Sequence, residues 1–318
     1  MIYAMDNGKL RLEVNSLGAE MQRLGSCSGV EYLWDGDERY WRRHAPVLFP
    51  FVSRLKEDRY RLGDREYTMP KHGFAPASEF EVYRQTETEL VFRLIDNDKT
   101  REYYPFAFEF CVGYRLEDWK LNISYTVVNT GSELLPFGLG GHPGFRIPFA
   151  ESPDFEDYYL EFSQRCDPDR ILFGPDCLVT GVRERYPLEK GRILRLRHQL
   201  FDDDAVVLEH TAKEVAIRCR GGSRAVKVAF PKMNYVGFWH KDGAAAPYVC
   251  VEPWLSLPAR HGVIEDFYCK GDMVRLAPGE SIHVQQYLYH DFSVEPGSGP
   301  VLLGEVSQCN DDAKDNRF

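Results

Sequence analysis

Apolar residues recur at every second position over long stretches of this chain, and almost nowhere at the three-to-four spacing of a helix face. "FAFEFCVGYRLE" places Phe106, Phe108, Phe110, Val112, Tyr114 and Leu116 on one side of an extended backbone. "KLNISYTVVNTG" does the same with Leu121, Ile123, Tyr125 and Val127. A period of two predicts strands with one buried face, and the polar "EDWK" between these two predicts a hairpin. Further hairpins are expected in "DRYRLGDREYTM" about Gly63-Asp64, in "VYRQTETELVFRL", in "IRCRGGSRAVKVAF" about Gly221-Gly222, and in "VRLAPGESIHVQQYLYH". The one helix candidate is "DERYWRRHA", residues 37 to 45. Hairpin after hairpin, without strand–helix–strand alternation, predicts an all-β chain built as a large antiparallel β-sandwich.

No Pro/Gly/Ser-rich linker divides the 318 residues, so residues 1–292 read as one domain. Residues 150 to 190, with "AESPDFEDYY", "CDPDR" and "FGPD", read as a loop-rich excursion. Residues 293–318 lose periodicity and read as a C-terminal appendage, partly disordered or docked. The net charge of −10 argues against sequence-independent contact with nucleic acid or an anionic membrane. "MIYAMDNGKLRLEV" has no basic-then-apolar signal, and no apolar run is long enough for a spanning helix. The expectation is a cytoplasmic protein, monomer or homodimer, whose eight irregularly spaced cysteines are reduced and mostly buried.

Four stretches set chemically active side chains among apolar residues and backbone punctuation. They are "LFPFVSRLKEDRY" with Arg54, "TMPKHGFAP" with His72, "FGLGGHPGFRIPF" with His142, and "YVCVEPWLSLPAR" with Glu252. Each has a structural reading: a surface arginine, a turn histidine, a core histidine satisfied by a carbonyl, and the acid of an internal ion pair. Converging on one pocket, they would instead supply a general acid, a general base and a cation for polar oxygens.

These stretches resemble the aldose 1-epimerases, the galactose mutarotases, and most closely their LacX-like branch. The resemblance runs from about residue 2 to residue 291 through "EYLWDGDERYWRRHAPVLFPFVSRLKEDRY", "MPKHGFAPASEFEV", "PFGLGGHPGFRIPF", "LFDDDAVVLEH" and "FWHKDGAAAPYVCVEPW", in the family's order. It implies a galactose mutarotase-like supersandwich. It implies an isomerase that interconverts the α and β anomers of a free aldose or aldose phosphate. Glu252 stands where the family has its general base and His142 where it has its general acid. Arg54 and His72 match the sugar-binding arginine and histidine. An aspartate of "FDDDA" matches a further binding residue, with Asp204 preferred over Asp202 and Asp203. Trp239 and Trp254 flank the acidic stretch, and Trp254 is taken as a further substrate contact. One departure stands out: Ser53 precedes the arginine where the branch usually has glycine.

The implied chemistry is proton transfer only, with no metal and no organic cofactor, and the implied partner is a small sugar. For a phosphorylated substrate, Lys56, Lys71 and Arg146 are the nearby cations in sequence. Three other readings share these residues. A non-catalytic sugar-binding or sugar-sensing module needs Arg54 and His72 but not the acid and base. A glycoside hydrolase needs two carboxylates. A metalloenzyme would use His72, His142 and Glu252 as ligands, yet the chain lacks close H-x-H spacing.

Overall fold

Alternation becomes burial in the structure, a computed structural model that describes residues 1–149 and 152–292. In the Lys120–Asn129 strand every second side chain is buried, and Leu121, Ile123, Tyr125 and Val127 are those expected. It pairs antiparallel with Phe108–Glu117, placing Phe110 opposite Val127 and Tyr114 opposite Ile123. Nine strands make up this sheet. Edge to edge they are Ile193–Arg195, Tyr158–Phe162, Glu214–Cys219, Arg224–Ala229, Ser281–Phe292, Lys120–Asn129, Phe108–Glu117, Glu89–Ile95 and Glu81–Gln85.

A second sheet of eight strands packs its inner face on the first. Its path runs Val179–Arg185, Asp169–Phe173, Val206–Glu209, Tyr235–Trp239, Tyr248–Trp254, Gly140–Gly141 and Val47–Leu48, and Gly144–Arg146 also pairs with Tyr248–Trp254. Aromatic side chains fill the interface: Phe49 stacks on Phe110 at 4.3 Å and Phe162 meets Phe238 edge-on at 6.1 Å. Burying each such ring stabilises the fold by roughly 1.5–3 kcal/mol. A three-stranded sheet at the N-terminus is fastened by the Tyr114 hydroxyl, which donates to the Ala19 carbonyl at 2.6 Å. The all-β sandwich is therefore the observed architecture. Among the described residues no helix is long and apolar enough to cross a membrane.

Hairpins form where expected at Arg59–Leu62/Arg65–Thr68, Glu81–Gln85/Glu89–Ile95 and Glu214–Cys219/Arg224–Ala229. "VRLAPGESIHVQQYLYH" is not one. Val274–Leu276 pairs with Leu135–Phe137, whereas Ser281–Phe292 lies between Lys120–Asn129 and Arg224–Ala229. The turn at Gly279, with φ +78°, redirects the chain from one sheet to another. The 150–190 region is more regular than its composition suggests. Tyr158–Phe162 joins the first sheet, and Asp169–Phe173 and Val179–Arg185 join the second.

Residues 37 to 45 form no helix. The Tyr40 and Trp41 amides both turn back to the Asp37 carbonyl, and the chain then extends. Among the described residues the α-helix lies instead at Asp98–Tyr103. It is too short for a periodic signal and is started by a capping box between Asn97 and Thr100. Of the seven described cysteines, all free, only Cys219 and Cys250 are buried, fewer than expected. The appendage at 293–318 lies outside the described residues.

Candidate active site

Register brings His142 and Glu252 together. Gly140 pairs with Trp254 and Gly144 with Cys250, so His142 falls directly opposite Glu252. Cross-strand neighbours sit about 4.5–5.5 Å apart at Cβ, and here His142 Nε2 lies 3.2 Å from a Glu252 carboxyl oxygen. The glycines around His142 have distinct steric causes. A Cβ on Gly140 would meet the Trp254 ring at 2.6 Å, one on Gly141 would meet Gln286 Oε1 at 2.7 Å, and one on Gly144 would meet the Trp41 ring at 3.0 Å. On the other side of Glu252 the paired residue is Gly237, where a Cβ would meet the Trp254 ring at 3.3 Å and the Glu252 Cβ at 3.5 Å.

An aromatic wall surrounds the imidazole. Trp41 stacks on it at 4.9 Å, and Trp239 and His72 meet it edge-on at 5.7 and 5.5 Å. His142 and Glu252 are 7% and 2% exposed. Burial, helped by the Lys71 ammonium and partly offset by the ring's own backbone carbonyl, pulls the His142 pKa down to about 3. Burial pushes the Glu252 carboxyl well above its usual range, with Lys71 opposing and Asp204 adding to the rise. Both shifts disfavour charge, so the resting pair is a neutral imidazole and a carboxylic acid sharing one proton.

His72 is held by an unusual backbone exchange. The Ser53 amide donates to His72 Nδ1 at 3.2 Å, and the His72 amide donates to the Ser53 carbonyl at 2.8 Å. Ser53 and His72 both adopt left-handed φ values, +60° and +69°. Since Nδ1 accepts, the ring proton resides on Nε2, a donor beside the cleft. Burial, then repulsion from any charge on His142 and from Lys71, Arg54 and Arg43, lower this imidazole's pKa well below its usual value and keep it neutral. Gly73 follows with φ +77°, and a Cβ there would stand 2.2 Å from the Phe49 carbonyl oxygen, so only glycine fits.

A cleft of about 970 Å³ opens above this floor, and all six expected residues line it: Arg54, His72, His142, Asp204, Glu252 and Trp254. Arg54 is exposed at the rim. Asp202, Asp203 and Asp204 all reach the cleft. Asp204 is the one whose charge acts on Glu252, and it accepts from the Cys177 thiol. Asp202 acts on His240 instead. Trp254 is only 3% exposed and packs among Leu48, Val52, Ile171 and Val207, so it forms floor rather than a stacking face. Trp239, half-buried, is the more available of the two indoles.

Sequence reasoning missed Trp41, which comes from the segment expected to be helical. It also missed Arg170, whose strand lies in the supposed excursion, and the reach of Lys71 to His72, His142 and Glu252 alike. Lys56 and Arg146 do not line the cleft; Lys56 donates to the Gly262 carbonyl and Arg146 pairs with Asp35. His72 Nδ1 is committed to Ser53, which weakens a metal set built on His72, His142 and Glu252.

An antiparallel sandwich carrying a polar cleft over a buried imidazole–carboxyl pair defines a class, the galactose mutarotase-like proteins. The aldose 1-epimerase family model matches residues 1–288, and the chain belongs to that family. It is 30% identical to the chromosomal LacX protein of Lactococcus lactis subsp. lactis over 267 residues, 81% of this chain and 88% of that protein. The galactose mutarotase related enzyme of Lactobacillus acidophilus superposes with a TM-score of 0.88 at 33% identity, covering 93% of this chain and 99% of that one. A galactose mutarotase-like protein of Lactobacillus casei ATCC 334 gives 0.85 at 30% identity, over 91% and 100%.

A second likeness sits at the C-terminal end. The D-lyxose isomerase family model matches residues 261–318. The D-lyxose/D-mannose isomerase of Serratia proteamaculans is 55% identical over 51 residues, 16% of this chain but only 22% of that protein. Residues 261–288 fall in both family matches, and there the chain supplies Val274–Leu276 and most of the central Ser281–Phe292 strand to this sandwich.

Proposed function

We propose that this protein is an aldose 1-epimerase that opens and recloses the ring of a free aldose by paired proton transfer. The observation that carries the reading is the buried His142–Glu252 pair, 3.2 Å apart and open to the cleft. Ring opening removes a proton from the hydroxyl on C1 and delivers one to the ring oxygen. Moving the shared proton across the 3.2 Å contact turns the neutral pair into carboxylate and imidazolium. In that form Glu252 accepts the C1 proton while His142 protonates the ring oxygen, and the C1–O5 bond breaks as the carbonyl forms. Rotation about C1–C2 and the reverse transfers give the other anomer. Lys71 acts on the two halves of the charged form in opposite senses, since its field stabilises the carboxylate and opposes the imidazolium. The low-polarity aromatic wall keeps the alternative, neutral form close in energy, and general acid–base catalysis is most effective when the two lie close.

The remaining lining suits a ligand rich in hydroxyls. Arg43, Arg54, Lys71 and Arg170 face Asp202, Asp203, Asp204 and Asp242, so donors and acceptors of both signs are present without a cationic excess. This balance favours an uncharged aldose over its phosphate. Arg54 and the Nε2 proton of His72 are assigned to hydroxyl binding, with Asp204 as an acceptor. The test is a panel of freshly dissolved pure anomers, free and 6-phosphorylated, followed by polarimetry and NMR. Accelerated approach to anomeric equilibrium for at least one free aldose is expected. An aldose that binds in the cleft yet equilibrates at the spontaneous rate makes the protein a sugar-binding module.

A further inference from the structure

Behind the cleft floor, fully buried and not itself lining the cleft, lies a third group that the proton-transfer reading leaves idle. Cys250 lies two residues before Glu252 on the same strand, so both side chains point to the same face. Its sulfur, a ring nitrogen of His142 and a Glu252 oxygen all lie within 4.8 Å of one another, and all three residues are buried. We propose that these three side chains form a site for a thiophilic divalent cation of the Zn²⁺ type, and that its occupancy switches the enzyme off.

The geometry is close to what zinc requires. Bonds of about 2.0–2.1 Å to nitrogen and oxygen and about 2.3 Å to sulfur put neighbouring ligands of a tetrahedron roughly 3.4 Å apart, or roughly 3.6 Å when one is sulfur. The nitrogen and oxygen are already 3.2 Å apart. The sulfur, within 4.8 Å, needs to close by roughly 1.2 Å at most. The fourth corner faces the cleft, where a water or a sugar hydroxyl completes the set. A thiolate and a carboxylate neutralise the dication, the imidazole binds it as a neutral donor, and two protons leave to solvent, one from the Cys250 thiol and one from the Glu252 carboxyl. The soft sulfur selects zinc over magnesium or calcium.

Inhibition follows from which atoms are taken. The metal occupies the lone pair of His142 Nε2 and the Glu252 oxygen, the two atoms between which protons must move. The second metal-like cluster among the described residues, Asp169, Glu209 and His210, has no sulfur, and its Glu209 is engaged by Arg183. It serves as the control.

Only the inhibitory consequence rests on the epimerase reading; the site itself is tested by binding. ZnCl₂ and CoCl₂ are titrated separately into the full chain in chelator-free buffer. The wild type is expected to gain a thiolate-to-cobalt charge-transfer band with tetrahedral d–d intensity. It is expected to lose anomer interconversion at one zinc per chain, to recover on adding EDTA, and to ignore magnesium. Cys250→Ala is expected to keep its activity, lose the band, and need more than about 10–100-fold more zinc for inhibition, since removing even a supporting residue costs that much affinity. His210→Ala is expected to behave as wild type. A wild-type chain with no cobalt–thiolate band overturns the proposal without recourse to any variant. So does a Cys250→Ala protein with an unchanged band and unchanged zinc sensitivity. If no aldose is turned over, the cobalt spectrum and zinc calorimetry still decide whether the site exists.

Discussion

Replacing Glu252 by glutamine should separate stability from catalysis. In the resting pair the protonated carboxyl donates to His142 Nε2 across 3.2 Å, and the glutamine amide nitrogen can donate to the same atom. Size, polarity and the hydrogen bond are therefore kept, while the proton acceptor is lost. One partner of an acid–base pair contributes ~10²–10⁴ in rate, or roughly 3–5 kcal/mol of barrier. Interconversion should fall by at least about a hundredfold. Stability should move the other way. The folded carboxyl titrates well above the unfolded one, so it adds stability below the unfolded value, and that stability is lost as pH rises toward the folded value. The glutamine variant lacks this loss, and its advantage over wild type should grow as pH rises from about 4.5.

His142 carries the opposite sign. Its folded pKa is about 3, against roughly 6.5 when unfolded. Below that unfolded value the unfolded chain takes up a proton that the folded one refuses. One pH unit lower, this costs about 1.4 kcal/mol. His142→Asn should therefore lose activity as severely, yet resist acid better than wild type by about that amount at pH near 5.5. Polarimetry on a pure anomer gives the rates, and urea unfolding at several pH values gives the stabilities. A Glu252→Gln protein that folds, binds sugar and interconverts anomers at the wild-type rate refutes the mechanism. A Glu252→Gln protein less stable than wild type at neutral pH refutes the neutral-pair account of the floor.

Three further outcomes follow from the surrounding backbone and charges. Ser53→Gly relieves a left-handed serine at φ +60° and should raise stability by up to ~1 kcal/mol in urea unfolding, with activity kept; a clear loss of stability would contradict the strain argument. Gly73→Ala drives a Cβ to 2.2 Å from the Phe49 carbonyl and should cost roughly 2–5 kcal/mol, with KM raised through displacement of His72; unchanged stability and KM would count against that packing. Lys71→Met removes the cation that stabilises the Glu252 carboxylate and opposes His142 protonation, so both pKa values should rise. The acid limb of the rate–pH profile should then move to higher pH, and a profile superposable on wild type would remove Lys71 from the site.

Much of this protein was legible one residue at a time. Period-two alternation in "FAFEFCVGYRLE" and "KLNISYTVVNTG" decides strand and face together, because a strand's side chains can only alternate. The resemblance carried by the glycine-marked motifs named His142 and Glu252. What they could not contain is register: that His142 stands opposite Glu252 follows from Gly140 pairing with Trp254 and Gly144 with Cys250, contacts more than a hundred residues apart in the chain. The same limit explains the errors. "VRLAPGESIHVQQYLYH" has the local pattern of a hairpin, but the partners of its two strands lie elsewhere, at Leu135–Phe137 and Lys120–Asn129. Trp41 sits in the stretch that reads as a helix candidate, and only packing against His142 gives it a place in the wall. Local sequence sets backbone preference and burial through short-range sterics and apolar spacing. Long-range pairing alone sets which side chains share a cleft, how far they are desolvated, and therefore where the one proton between His142 and Glu252 resides.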